Sequence, residues 1–376
     1  MAKVYFPNLN GLRFIAAFAV IIHHLEQYKF LLNEPNLWHI PFFEVVGKVA
    51  VVLFFVLSGF LITYLLLEEQ RTTNTISIWA FYMRRVRRIW PLYYLMVGLG
   101  LFVFPAISIF YLPTLSGELA SGFTTKLILL LLILPNMVVM PIPGIYQTWS
   151  IGVEEQFYLI WPVLFKKIRN PVLICCLVLG GYLVVKFVGL PVLSNLTHEA
   201  SWARTAIRIW NKFSVDCMAI GGLTAILLHR KQERALQFLF SKPVQVLAYG
   251  ISGVMIGYGV VVPYVNFECY AVLFAIIILN LAANPASIIN LEISVFKYLG
   301  KISYGLYMYH LVGIAMAHAL TNWLAPGSNV LLYGLSIALS IGISAASYEW
   351  FESRFLRSKK QPVPSPEKSS ELAPQA

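Results

Sequence analysis

Apolar runs of spanning length recur from one end of the chain to the other, at roughly 12–30, 45–67, 89–111, 172–190, 213–229, 244–263, 268–284, 302–323 and 330–350. A hydrocarbon core about 30 Å thick takes about 20 helical residues to cross, so each run reads as a transmembrane helix. Residues 127–165 break the pattern. They hold two apolar pieces, 127–142 and 148–165, on either side of Met140-Pro141-Ile142-Pro143-Gly144. Two crossings fit that stretch, and so does one crossing with a re-entrant piece. From Ser358 the chain turns rich in Pro, Ser and Glu and offers no apolar face. The expectation is one membrane domain over 1–357 and a disordered cytoplasmic tail over 358–376.

Charge chooses between the two readings of 127–165. Arg84, Arg85, Arg87 and Arg88 precede the third run, and Lys166, Lys167 and Arg169 follow the ambiguous stretch. Basic loops stay on the cytoplasmic side. With both clusters there, an even number of crossings separates them, so 127–165 supplies one net crossing. The expected fold is an all-α bundle of about ten spans with one possible re-entrant segment and both termini in the cytoplasm. Of the 28 basic residues, only Lys29, Lys48, Lys126, Lys186, Arg204, Arg208 and Lys212 then fall outside or at outer span ends. The break at 140–147 belongs inside the bundle, because irregular backbone at membrane depth needs protein or a water-filled cavity around it. No internal repeat is visible, so the inverted-repeat signature of many transporters is missing.

Composition agrees. The 376 residues are 59% hydrophobic and 12% charged. That excludes an ordinary soluble globule and a disordered chain. The net charge of +11 is accounted for by cytoplasmic loops and calls for no nucleic acid. Cys175, Cys176, Cys217 and Cys269 lack zinc-ligand spacing and read as buried thiols. The first apolar run is broken by Arg13 and His23-His24 and is followed by no small-x-small site, unlike a signal peptide.

Ionisable groups inside spans are costly and mark function by default. Arg13 and His24 lie eleven residues apart, close to three helical turns, so they share one face about 16 Å apart. A guanidinium there can hold an anion and a neutral imidazole can accept a proton. A snorkelling arginine below a satisfied core histidine is the plain alternative. Arg85 and Arg88, three apart at the start of a span, suit a phosphate or pyrophosphate; they also suit a cluster that only sets topology. Glu154 and Glu155 diverge by about 100° on a helix, so one of them could meet His24 or close an ion pair with an arginine. Tyr304, Tyr307 and His310 step by three along one helix and either line a cavity or form an interfacial belt. Asp216, the one aspartate, reads as a helix cap or a partner of Arg204 or Arg208. There is no nucleophile elbow, zinc-protease motif or phosphate-binding loop, and no metal is expected.

In this order the motifs resemble the acyltransferase family 3 integral membrane proteins. The resemblance covers residues 8 to about 355. It rests on Gly11-Leu12-Arg13 with the spacing to His24, and on Phe54-Phe55-Val56-Leu57-Ser58-Gly59-Phe60-Leu61-Ile62. It continues through Arg85-x-x-Arg88-Ile89-x-Pro91, Thr148-Trp149-Ser150 with Glu154-Glu155-Gln156-Phe157-Tyr158, and Ser303-Tyr304-x-x-Tyr307-x-x-His310. The resemblance implies a cell-membrane O-acyltransferase drawing on cytoplasmic acyl-CoA, usually acetyl-CoA. The acceptor would be a hydroxyl of a sugar, polysaccharide or lipid-linked glycan, or of a macrolide-like small molecule. It further implies that Arg85 and Arg88, with Arg13, hold CoA phosphates. Ser58 and Gly59 would let the pantetheine arm approach closely. His24 would be the general base or acyl carrier, oriented by Glu154 or Glu155. Tyr304 and Tyr307, with Trp149 and His310, would line the acceptor side. Some family members append a hydrolase-like extracytoplasmic domain. With only a short tail here, the expectation is direct transfer or delivery to a separate protein. A proton-coupled transporter or flippase of a glycan precursor is the rival from another class, and a purely structural membrane protein is a second.

Overall fold

The computed structural model describes residues 4–112, 122–138, 142–198 and 200–356, and all regular structure among them is helical. The helices are α1 (Leu9–Leu31), α2 (Pro41–Thr73), α3 (Ile78–Ala106), α4 (Phe123–Leu131), α5 (Trp149–Lys167), α6 (Pro171–Leu196), α7 (Ser201–His229, interrupted at 213–214), α8 (Glu233–Phe240), α9 (Lys242–Gly257), α10 (Asn266–Ala283), α11 (Ser294–Lys301), α12 (Ser303–Leu324) and α13 (Asn329–Leu356). Among them α1, α2, α3, α6, α7 and α13 are long and apolar enough to cross a membrane. The pair α8 and α9, bent by 58°, would make a seventh span. The expected ten is thus reached only in part on length and composition. α10 is a shorter apolar helix. α5 and α12 have 19 and 22 residues, long enough to cross, but their Glu, Gln, Tyr and His residues dilute their apolar character. The tail at 358–376, and Met140 and Pro141 of the expected break, lie outside the described residues.

The stretch 127–165 resolves into two unequal pieces. α4 has nine residues, about 13 Å of helix, and cannot cross. The chain turns after it at Ile133, whose φ is 57°, and passes through single 3-10 turns at Pro135–Met137 and Tyr146–Thr148 into α5. This irregular backbone is enclosed by protein: Asn136, Ile145, Gln147 and Thr148 are all buried. Buried polar backbone is tolerated in a bundle on that condition.

α2 is apolar on every side and sits at the centre, packed by α1, α5, α7, α9 and α10. Its closest neighbour is α7, and glycines set the distance. A Cβ on Gly59 would lie 2.6 Å from the carbonyl carbon of Met218 and nearer still to its oxygen. A Cβ on Gly221 would meet the Val56 carbonyl in the same way. Val56 and Gly59 thus face Met218 and Gly221 reciprocally, with backbone against backbone. Small residues allow such crossings where lipid offers no hydrophobic drive between helices. α1 packs between α2 and α12, which brings the N-terminal span against the one that carries the Tyr and His ridge.

Candidate active site

A half-open cleft with a cavity volume of about 110 Å³ lies where α1, α2, α3, α5 and α12 converge. Its polar lining is Arg13, Ser58, Arg85, Arg88, Ser150, Glu154, Tyr158, Ser303, Tyr304 and Tyr307; Phe54 and Phe55 are among its apolar walls. Five sequence motifs spread from Arg13 to Tyr307 therefore share one cavity. Helix spacing does the local work. Arg85 and Arg88 are one turn apart on α3, Glu154 and Tyr158 one turn apart on α5, and Tyr304 and Tyr307 one turn apart on α12.

The charge of this cleft is unbalanced. Among the described residues no ion pair holds Arg13, Arg85 or Arg88, whereas neighbouring Arg84 is paired with Glu69 at 3.1 Å. Arg13 Nη1 donates to Asn10 Oδ1 at 3.2 Å. The Arg85 guanidinium lies over the rings of Phe81 and Tyr158, 5.6 and 5.5 Å from their centroids, and its Nε is buried without a partner. Glu154 is the carboxylate in the lining, and its oxygens are occupied. Ser58 Oγ donates to Oε1 and the Tyr158 hydroxyl to Oε2, each at 3.0 Å. Three guanidiniums against one engaged carboxylate leave a positive, partly desolvated cavity, which suits a polyanion that Arg can grip bidentately.

His24 stands beyond this cleft. Its Nδ1 lies 3.0 Å from the carbonyl of Val20 and 3.0 Å from His310 Nε2. The edge of Tyr146 meets its ring at 5.5 Å, and His23 flanks it at 4.9 Å. Tyr307 joins the two regions. Its hydroxyl, in the cleft wall, donates to the Gln147 carbonyl at 2.8 Å and accepts from Ser150 at 2.6 Å, while its own carbonyl accepts from His310 Nδ1 at 2.7 Å.

Several expectations are corrected by this geometry. Neither carboxylate orients His24: Glu154 is held by Ser58 and Tyr158, and Glu155 Oε2 accepts from Trp90 Nε1 at 2.9 Å. His310 takes the place beside His24 instead. His310 is fully buried with both ring nitrogens engaged, so it does not line an acceptor surface. Gly59 does not face the cavity; it is spent on the contact with Met218. Trp149 packs on Phe55 at 6.2 Å and lines a separate small cavity beside Tyr146. Tyr304 lines the cleft and donates to the Ile89 carbonyl at 2.8 Å. Asp216 is buried beside the Lys186–Glu268 ion pair rather than joined to Arg204 or Arg208.

Sequence reasoning quoted Ser150 and Tyr158 within motifs but gave them no role, and it passed over Gln147. Tyr158 was legible, since it follows Glu154 by four residues on one helix face. The histidine pair was not, because its members are separated by 286 positions.

Comparison with known proteins bears on this site. The profile of the acyltransferase 3 family, described as an acyltransferase domain, matches residues 6–349. The chain is 25% identical to the peptidoglycan O-acetyltransferase OatA of Listeria monocytogenes over 370 residues, which is 93% of this chain and 56% of that protein. It is 31% identical to the acyltransferase MdmB of Streptomyces mycarofaciens over 171 residues, 44% of this chain and 41% of that protein. The chain spans about half the length, or less, of these curated relatives. No solved structure matches it. On the strength of a profile that runs through every helix bearing the cleft, the chain belongs to the acyltransferase 3 family.

Proposed function

We propose that this chain is a multi-pass cell-membrane O-acyltransferase with ten spans and both termini in the cytoplasm. It moves an acyl group, acetyl by preference, from cytoplasmic acyl-CoA to a hydroxyl of a sugar or glycan. The observation that carries the reading is the pairing of two unlike regions. A cleft lined by Arg13, Arg85 and Arg88, none of them held in an ion pair among the described residues, is joined through Tyr307 and His310 to the half-buried His24. The arginines suit the diphosphate and ribose phosphate of CoA. The pantetheine arm then runs along α1 toward His24, about 16 Å from Arg13 on the same face. Gln147, whose Oε1 is buried without a partner, is a candidate to meet the acceptor hydroxyl.

In the reaction, His24 takes the proton of the acceptor hydroxyl while its oxygen attacks the thioester carbonyl. The carbon–sulfur bond breaks, and the thiolate leaves with the proton returned by the imidazolium. A relative named for peptidoglycan O-acetylation favours a glycan acceptor over a macrolide-like one. The test is transfer of label from [14C]acetyl-CoA to chitopentaose, a soluble chain of β-1,4-linked N-acetylglucosamine, by the purified protein in lipid vesicles. Labelled sugar with release of free CoA supports the reading. Movement of sugar across the vesicle with no CoA release would favour the flippase.

A further inference from the structure

We propose that His310 is the positioning residue for His24, holding its ring in the tautomer that leaves Nε2 bare. This rests on the reading of His24 as the group that accepts the hydroxyl proton.

The assignment follows from three acceptors. The Tyr307 carbonyl can only accept, and His310 Nδ1 lies 2.7 Å from it, so the His310 proton sits on Nδ1. A neutral imidazole carries one N–H, which makes His310 Nε2 a lone pair. That lone pair is 3.0 Å from His24 Nδ1, so His24 Nδ1 must carry hydrogen. The Val20 carbonyl imposes the same condition independently, at 3.0 Å from the same nitrogen. The opposite tautomer of His24 would lose both bonds and set lone pairs against each other. His24 Nε2 is therefore the free base.

His310 thus fills the place that a carboxylate fills in a Ser-His-Asp site, where the third group fixes the tautomer and steadies the imidazolium. When the acceptor O–H breaks, its proton forms the Nε2–H bond of His24. The positive ring then presents its Nδ1–H to the His310 lone pair. The same Nε2 proton leaves with the CoA thiolate, and His310 keeps its own proton throughout. A neutral partner does this without the cost of a second buried charge. Because His310 is anchored to Tyr307, the cleft wall and the base are tied within one turn of α12.

The test uses the full chain in vesicles with acetyl-CoA and chitopentaose. His310→Ala should lower kcat by at least about 100-fold with the acetyl-CoA KM unchanged within about twofold. His310→Gln, which keeps an acceptor near the Nε2 position, should recover to within about tenfold of the native rate. The His24→Ala/His310→Ala pair should be no slower than His24→Ala alone, since groups acting as a unit are lost together. If the alanine variant does not accumulate, His310→Leu replaces it. A native kcat for His310→Ala, a glutamine variant as slow as alanine, or a double variant that loses both factors would each overturn the proposal. Activity in His24→Ala would instead remove the base reading beneath it.

Discussion

Gly59→Ala separates two explanations of the same glycine, one in which it makes room for a ligand and one in which it makes room for a helix. A methyl at this position would stand 2.6 Å from the Met218 carbonyl carbon and 2.7 Å from its Cα. Carbon atoms rest at about 3.5–4.0 Å, so α2 and α7 must part by about 1 Å at their crossing. Both backbones are rigid there, so no side-chain rotation relieves the contact. Overpacking of this kind costs about 1–3 kcal/mol. The crossing is reciprocal, because Gly221 meets the Val56 carbonyl and approaches the Phe60 nitrogen. Once one methyl has spread the helices, the second meets less resistance. Gly59→Ala with Gly221→Ala should therefore cost less than the sum of the single variants, by at least about 0.5 kcal/mol. Denaturant unfolding of the detergent-solubilised protein measures the stability, and titration with acetyl-CoA measures the affinity of the folded fraction. Native stability with weakened donor binding would refute the packing explanation and return Gly59 to the substrate.

Arg85→Ala and Arg88→Ala should each weaken acetyl-CoA binding about 10- to 100-fold, the worth of a hydrogen bond to a charged group, and leave unfolding unchanged. Equilibrium binding of labelled acetyl-CoA checks this, and unaltered affinity would return both residues to topology. Glu26 is fully buried and takes bonds from Lys29 at 2.9 Å, Tyr333 at 2.5 Å and the Leu37 backbone at 2.5 Å. Glu26→Ala should cost about 3–5 kcal/mol by stranding the buried Lys29 charge, and Glu26→Leu with Lys29→Leu should cost less. A loss below about 1 kcal/mol in denaturant unfolding would show that the ion pair is unimportant.

Much of the site was legible because lipid makes polar residues conspicuous. Arg13, Arg85, Arg88 and Glu154 stood out as costly groups in apolar runs, Tyr304 and Tyr307 as a polar ridge and Ser58 through the family motif, and they meet in one cleft. What stayed hidden is which group touches which. Glu154 and Glu155 looked like partners for His24 on charge alone, yet α5 turns them toward Ser58, Tyr158 and Trp90. His310 was grouped with the tyrosines of its ridge by a three-residue step. Its position beside His24 depends on the packing of α1 against α12, which no local pattern records. Gly59 shows the same limit from the other side. It stands next to Ser58 in the sequence, but a helix places consecutive residues about 100° apart, so one faces the cavity and the next faces α7. The spans were read from apolar length. α5 and α12 carry so much site chemistry that their apolar character is diluted.

The central claim is that a donor held among the arginines reaches an acceptor through His24. Oriented vesicles test it most directly, with [14C]acetyl-CoA supplied at the face bearing Arg85 and Arg88 and chitopentaose present only at the other. Labelled sugar from the native protein, and none from a His24→Ala variant that still inserts and binds acetyl-CoA, is the predicted result. Equal labelling by the two proteins, or labelling only when donor and sugar share a face, would contradict it.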